Sequence, residues 1–95
     1  IVLDLDRRSV QVAGQLAELT PTGFDLLAAL MRNAGRPLTR AQLLDATQGE
    51  EYAGFERTID AHIKNLRRKI ETDPANPRHI LTVFGVGYKF TESAG

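Results

Sequence analysis

The sequence has no cysteine among its 95 residues. Disulfides and thiolate-bound zinc are therefore excluded, and a reducing compartment such as the cytoplasm fits. With two histidines and no thiol, a metal site is not expected. A long apolar run is also missing, so neither a membrane span nor a signal peptide is expected. Catalytic patterns are absent as well: there is no HExxH, no nucleophile elbow and no phosphate-cradling glycine loop. Asp60 and His62 point to different faces of a helix, and His79 lies beyond that helix's end and a proline-containing loop. Neither an enzyme nor a cofactor is expected. Finally, there is no net charge, because 12 Lys+Arg face 12 Asp+Glu. The overall basic excess of many polyanion-binding chains is missing.

What remains is one small domain's worth of chain, with 42% hydrophobic and 25% charged residues, near the globular average. A strand-like pattern already at Ile1 leads to the expectation of a piece of a longer protein. Val2 to Leu5, Val10 to Val12 and Leu16 to Leu19 read as short strands separated by turns at Asp6-Arg7-Arg8 and Gly14-Gln15. Thr20 is a good N-cap with Pro21 at the first helical position. Phe24, Leu27, Ala28 and Met31 then share a helical face, with Leu26 and Leu30 apolar beside them. Asn33-Ala34-Gly35 ends that helix. Thr39 with Gln42 forms a capping box for a second, short helix, and Leu38 with Leu43 occupies the staple positions. This helix fades by Thr47 to Gly49, and Gln48 to Phe55 is a polar, acidic loop.

A third helix, from about Arg57 to Glu71, carries the main signal. Ile59, Ile63, Leu66 and Ile70 form a narrow apolar stripe. Opposite it lie Arg57, Ala61, Lys64 and Arg68, with Asn65 at one edge. Between Arg57 and Lys69 there are five basic residues and one acid, Asp60, while Glu50, Glu51 and Glu56 lie just before. A neutral chain is thus electrically polarised. Ile80 to Phe84 and Tyr88 to Phe90 bracket Gly85-Val86-Gly87 as a hairpin with a glycine-rich tip. The helix front has what the major groove requires. Arg and Lys meet phosphates or guanine, Asn meets adenine, and a small Ala allows close approach. Periodicity by itself also leaves an ordinary solvated face or a protein-binding surface open. The front carries no Trp or Tyr anchor of the kind that favours protein. His62, near the seam, serves packing or a phosphate equally well.

The stretch Arg57-Thr58-Ile59-Asp60-Ala61-His62-Ile63-Lys64-Asn65-Leu66-Arg67-Arg68-Lys69-Ile70-Glu71 resembles the recognition-helix signature of OmpR/PhoB-type response regulators. Thr82-Val83-Phe84-Gly85-Val86-Gly87-Tyr88 is similar to that family's wing. Leu19-Thr20 with Phe24 to Leu27, and Leu38-Thr39-Arg40 with Leu43-Leu44, resemble its first two helices. The resemblance covers nearly the whole chain. It implies an α+β winged helix-turn-helix: an N-terminal antiparallel four-stranded sheet, a three-helix core and a C-terminal β-hairpin wing. Also implied are an N-terminal receiver domain acted on by a histidine kinase, and binding to direct-repeat half-sites of double-stranded DNA with a second copy in tandem. By position, Arg57, His62, Lys64, Arg67 and Thr82 would contact phosphates. Ala61, Asn65 and Arg68 would face bases. Glu50, Glu51, Tyr52 and Phe55 would form a loop facing RNA polymerase.

Three positions depart from the family pattern. Gly23 replaces the usual Glu, removing a capping-box partner, so a weaker start to the first helix is expected. Gln48 precedes Gly49 where a Trp is common. Phe84 stands where several members carry a basic wing residue, and packing is the simpler expectation for it. Base reading is then expected to fall mainly on the helix.

Overall fold

The computed structural model describes residues 1–47 and 57–92. The expected polymerase-facing loop, Glu50, Glu51, Tyr52 and Phe55, lies outside the described residues. The chain opens as an antiparallel meander of β1 (Val2–Asp4), β2 (Ser9–Val12) and β3 (Gln15–Ala17). Its register pairs Leu3 with Val10 and Val10 with Ala17. Val10, pointing inward, is buried, whereas Val2 and Leu16 on the other face are exposed. The N-terminal sheet therefore has three strands among the described residues, which corrects the four expected. Only Glu18, Leu19 and Thr20 separate β3 from the next helix, and Thr20 is already its cap. No chain is left there for another strand.

Helix α1 (Pro21–Arg32) starts as the sequence predicts, with Thr20 Oγ1 accepting from the Gly23 N–H at 3.0 Å. Gly23 thus completes one half of a capping box and, lacking a side chain, cannot return the other. Residues 23 to 30 of α1 are all buried, because the helix packs against two other helices and the wing. Its one buried acid, Asp25, is answered by Arg8 at 2.9 Å. The Arg8 guanidinium also lies 4.5 Å from the Phe24 ring centroid, tying the first sheet to α1. Strand β4 (Leu38–Thr39) leads directly into α2 (Arg40–Asp45), whose capping box between Thr39 and Gln42 is complete in both directions. Leu38 and Leu43 are both buried, as the staple requires.

Helix α3 (Arg57–Ile70) buries Ile59, Ile63, Leu66 and Ile70, the stripe read from spacing. With Leu26, Leu27, Leu30, Leu43, Ile80 and Tyr88 they form the core. Strands β5 (Ile80–Val83) and β6 (Gly87–Phe90) form the hairpin, and β6 also pairs with β4, giving the order β4-β6-β5. Two glycines make this possible. Gly85 holds φ +80° in the Val83–Val86 turn, a conformation costly to residues with a Cβ. At Gly87 an added Cβ would lie 2.1 Å from the Leu38 carbonyl oxygen, so only glycine lets β4 and β6 approach. No helix among the described residues is long and apolar enough to cross a membrane.

Just past α3, the buried Glu71 carboxylate accepts from the backbone N–H groups of Arg78, His79 and Ile80 at 2.9 to 3.2 Å. An acid at a helix C-terminus opposes the dipole and needs such compensation. Replacing it strands the buried Ile80 N–H, at a cost of about 1–3 kcal/mol, and removes the charged partner of the part-buried Arg78 and His79 donors. Glu71→Ala is expected to lower unfolding free energy by about 3 kcal/mol, read from urea denaturation. A loss below about 1 kcal/mol would mean that water replaces the carboxylate at those donors.

Candidate nucleic-acid interface

The surface formed by α3 and the wing is built around one backbone residue. Arg67 donates to the Ile80 carbonyl through Nε at 3.1 Å and through its NH2 group at 2.8 Å. The same NH2 group donates to Thr82 Oγ1 at 3.0 Å. Glu71, one turn further on, takes the Ile80 N–H at 2.9 Å. Both polar groups of a fully buried residue on β5 are thus held by side chains of α3 and of the residue that follows it. The wing cannot swing independently of the helix without breaking charge-assisted bonds.

A second junction joins α3 to α2 and β6. Asp60 Oδ1 accepts from Arg40 Nε at 2.8 Å and from the Tyr88 hydroxyl. The Arg40 and Arg67 guanidinium carbons lie 5.6 and 5.5 Å from the Tyr88 ring centroid, within cation–π range. The Tyr88 hydroxyl bond, followed by the Arg40 contact, holds the Asp60 carboxyl below the ordinary aspartate range. Burial and the Asp60 charge push the Tyr88 phenol up, and Asp60 in turn raises the Arg40 guanidinium. Asp60 is therefore the fixed anion that sets α2 against α3.

Around these junctions the expected contact residues fall into distinct settings. Arg57, Ala61, Lys64, Asn65 and Arg68 are exposed along one side of α3, and Thr82 is exposed on the wing. Among the described residues, no side-chain hydrogen bond or ion pair holds Lys64, Asn65 or Arg68. His62 is half-buried beside the seam. Arg67 is also half-buried and is engaged by Ile80 and Thr82, which makes it a strut between helix and wing. The Thr82 hydroxyl, accepting from Arg67, keeps its own proton to donate outward. Phe84 departs from expectation. It is 92% exposed at the hairpin tip, so packing within the domain is not its role. The turn carries the chain away from the core before the ring can fold back. Among the described residues there is no group of three or more His, Cys, Asp or Glu placed to hold a metal.

Sequence reasoning missed the roles of Glu71, Asp60 and Tyr88. Two signals were available: the lone acid on a basic helix front and the acid placed against the dipole at its end. Their partners, Arg40 and the backbone of 78–80, are remote in sequence and no spacing rule reaches them.

Among the described residues, three helices, a short pairing strand and a hairpin wing strapped to an exposed basic helix define a winged helix-turn-helix domain. Residues 14–90 match the family described as transcriptional regulatory protein, C terminal. The chain belongs to that family, and it is an effector domain of the OmpR/PhoB type. Members are regulators and not enzymes. The chain is 53% identical over 87 residues to sensory transduction protein RegX3 of Mycobacterium tuberculosis, covering 92% of this chain and 38% of RegX3. It thus spans well under half of that relative's length. The response regulator DrrB of Thermotoga maritima, an OmpR/PhoB homolog, superimposes with a TM-score of 0.83 at 37% identity, over 94% of this chain and 40% of DrrB. The DNA-binding domain of RstA from Klebsiella pneumoniae, in complex with the RstA box, gives a TM-score of 0.81 at 34% identity, over 94% of this chain and 88% of that one.

The Asp60 junction makes a pH prediction. Because its folded pKa is lowered, Asp60 contributes stability that is complete above the ordinary aspartate value and lost as pH falls through the lowered one. Asp60→Asn is expected to be less stable than the parent at pH 7, with the gap closing below about pH 4. Thermal midpoints measured across that window check it. A gap that stays constant would assign the Asp60 contribution to shape and not to charge.

Proposed function

We propose that this domain binds duplex DNA sequence-specifically and controls transcription as the effector domain of a two-component response regulator. The observation that carries the reading is the exposed front of α3, bearing Arg57, Ala61, Lys64, Asn65 and Arg68, fixed to the wing through Arg67 and Glu71. A helix so presented fits the major groove, which is about 12 Å wide. The RstA domain's complex with its box supports the same use of the shared fold.

In this reading Arg57 and Lys64 neutralise phosphates, His62 donates to one, and Thr82 donates its hydroxyl proton to another. Arg67 acts partly through Thr82 by holding that hydroxyl in place. Ala61, Asn65 and Arg68 face base edges: Asn65 suits adenine, Arg68 suits guanine, and Ala61 suits a thymine methyl. The finer parts of the proposal are tandem occupancy of direct-repeat half-sites by two copies, and contact of the loop at Glu50, Glu51, Tyr52 and Phe55 with RNA polymerase. A receiver domain, N-terminal to residues 1–95 in the whole protein, would couple the domain to a histidine kinase in the cytoplasm.

Two copies on a paired site, each placing about three cations on phosphates, give a log–log salt slope of about −5. Lys64→Ala is expected to weaken all duplexes alike and to flatten the slope by about one per domain. Asn65→Ala is expected to change preference at one base position by about 1–3 kcal/mol. Selection from a random duplex pool, followed by salt titration, reads all of these. Binding that ignores both salt and sequence would overturn the proposal.

A further inference from the structure

A groove of about 380 Å³ runs along the edge of α3 where the end of the first sheet meets the start of α1. Its α3 wall carries His62, Asn65 and Lys69, and Leu19 and Leu66 give it an apolar lining. At about 100° per residue, Lys69 falls about 40° from Asn65 and about 20° from His62 around the helix, between the two. The groove is thus continuous with the face on which Asn65 meets bases. Lys69 is exposed, and the apolar lining accommodates its methylene stem while the ammonium stays in water. The opposite wall is marked by what it lacks. Gly23 stands there in place of the family's Glu. A Cβ on Gly23 would lie 3.9 Å from Leu19 Cβ and 4.0 Å from Leu66 Cδ1, so a side chain at this position enters the groove. Glycine therefore keeps a carboxylate out. Glu18 is the remaining acid of the lining, and among the described residues it makes no ion pair with Lys69. The Thr20 hydroxyl is already committed to the Gly23 N–H. An ammonium and an imidazole on one wall, facing a bare glycine, suit a small solvated anion. A duplex presents one phosphate per about 3.4 Å of rise along each strand.

We propose that this groove seats a phosphate of the duplex backbone, with Lys69 as a further phosphate-contacting residue and Gly23 as the position that keeps the seat free of negative charge. The assignment rests on the duplex-binding reading above and extends it to the edge of α3 that faces α1. Lys69 adds a fourth cation to the three counted for each domain. For one domain on one half-site the log–log salt slope becomes about −4, where three cations give about −3. A phosphate contact carries no base information, so Lys69 adds affinity for every duplex alike.

The test uses the 95-residue chain, a single half-site duplex found by selection, and titrations at several salt concentrations. Lys69→Gln is expected to weaken selected and random duplexes alike, about threefold to tenfold at low salt, and to flatten the slope by about one. Lys69→Arg, which keeps the charge, is expected to retain the slope. Gly23→Glu is expected to bind severalfold more weakly than Gly23→Gln. Both variants share any cost of a Cβ placed 3.1 Å from Thr20 Oγ1, so the difference between them reads the charge alone. The thermal midpoint of Lys69→Gln should match the parent. If Lys64→Ala flattens the slope but Lys69→Gln leaves affinity and slope unchanged, the groove assignment is overturned and the duplex reading stands. Affinity lost in Lys69→Gln together with a lowered midpoint and an unchanged slope would make Lys69 a structural residue and overturn the assignment too. Equal binding by Gly23→Glu and Gly23→Gln would remove Gly23 from it. If the parent binds no duplex, the duplex reading fails first.

Discussion

Ile80 is held from both sides by the C-terminal end of α3 and the residue that follows it. Its carbonyl takes two hydrogen bonds from Arg67 and its N–H gives one to Glu71, four residues on and just past the end of α3. Charge-assisted bonds of this kind are among the stronger single interactions a small domain can make. Their common target is the first residue of β5, so they fix where the hairpin begins and the angle at which it leaves the helix. From there, Gly87 brings β6 against β4, and β4 caps α2. Strand, helix and wing are positioned in turn from the end of α3. A surface that must present helix and hairpin to one ligand needs this rigidity, because freedom between them would be lost on binding.

Asp60 does the corresponding work at the other end of the junction. One carboxylate oxygen receives a guanidinium from α2 and a phenol from the wing. The Arg40 guanidinium also lies over the Tyr88 ring, as does that of Arg67. The three pKa directions agree: the acid is pulled down, the phenol is pushed up and the guanidinium is raised. Such a group is a poor candidate for surface recognition, even though it lies on the exposed front of the helix. Its charge is already spent within the domain.

How much of this was legible in the sequence depended on range. The buried stripe of α3, the Thr20 and Thr39 caps, the Leu38–Leu43 staple and the glycine hairpin follow from rules that span seven residues or fewer, and the structure has each of them. The expected fourth strand came from family resemblance, and it fails because Thr20 and Pro21 begin a helix directly after Glu18 and Leu19. Packing of Phe84 is what its apolar character alone suggests. Hydrophobicity does not say which residue a turn will strand at its tip, and the exposed ring shows the limit of that inference. Arg67 was legible as a cation on the front but not as a strut, since Ile80 and Thr82 lie thirteen and fifteen residues away. Among the expected contact residues, composition separated basic from neutral side chains; only the fold separates those turned outward from those tied down.

That separation resolves the apparent conflict between zero net charge and a polyanion-binding surface. Several of the acids are consumed internally. Asp25 answers Arg8, Asp60 answers Arg40, Glu71 answers three backbone N–H groups, and Asp73 accepts from Ala75 and Asn76. Of these, Asp25 and Glu71 are buried, and Asp60 shares its charge with two donors. Lys64 and Arg68, by contrast, stay exposed on α3. Charges separated by more than about 8 Å are largely screened at physiological salt, so a ligand on the α3 front senses the local cations and little of the total. Net charge is therefore the wrong quantity by which to judge this domain's partner, and the distribution fixed by the fold is the right one.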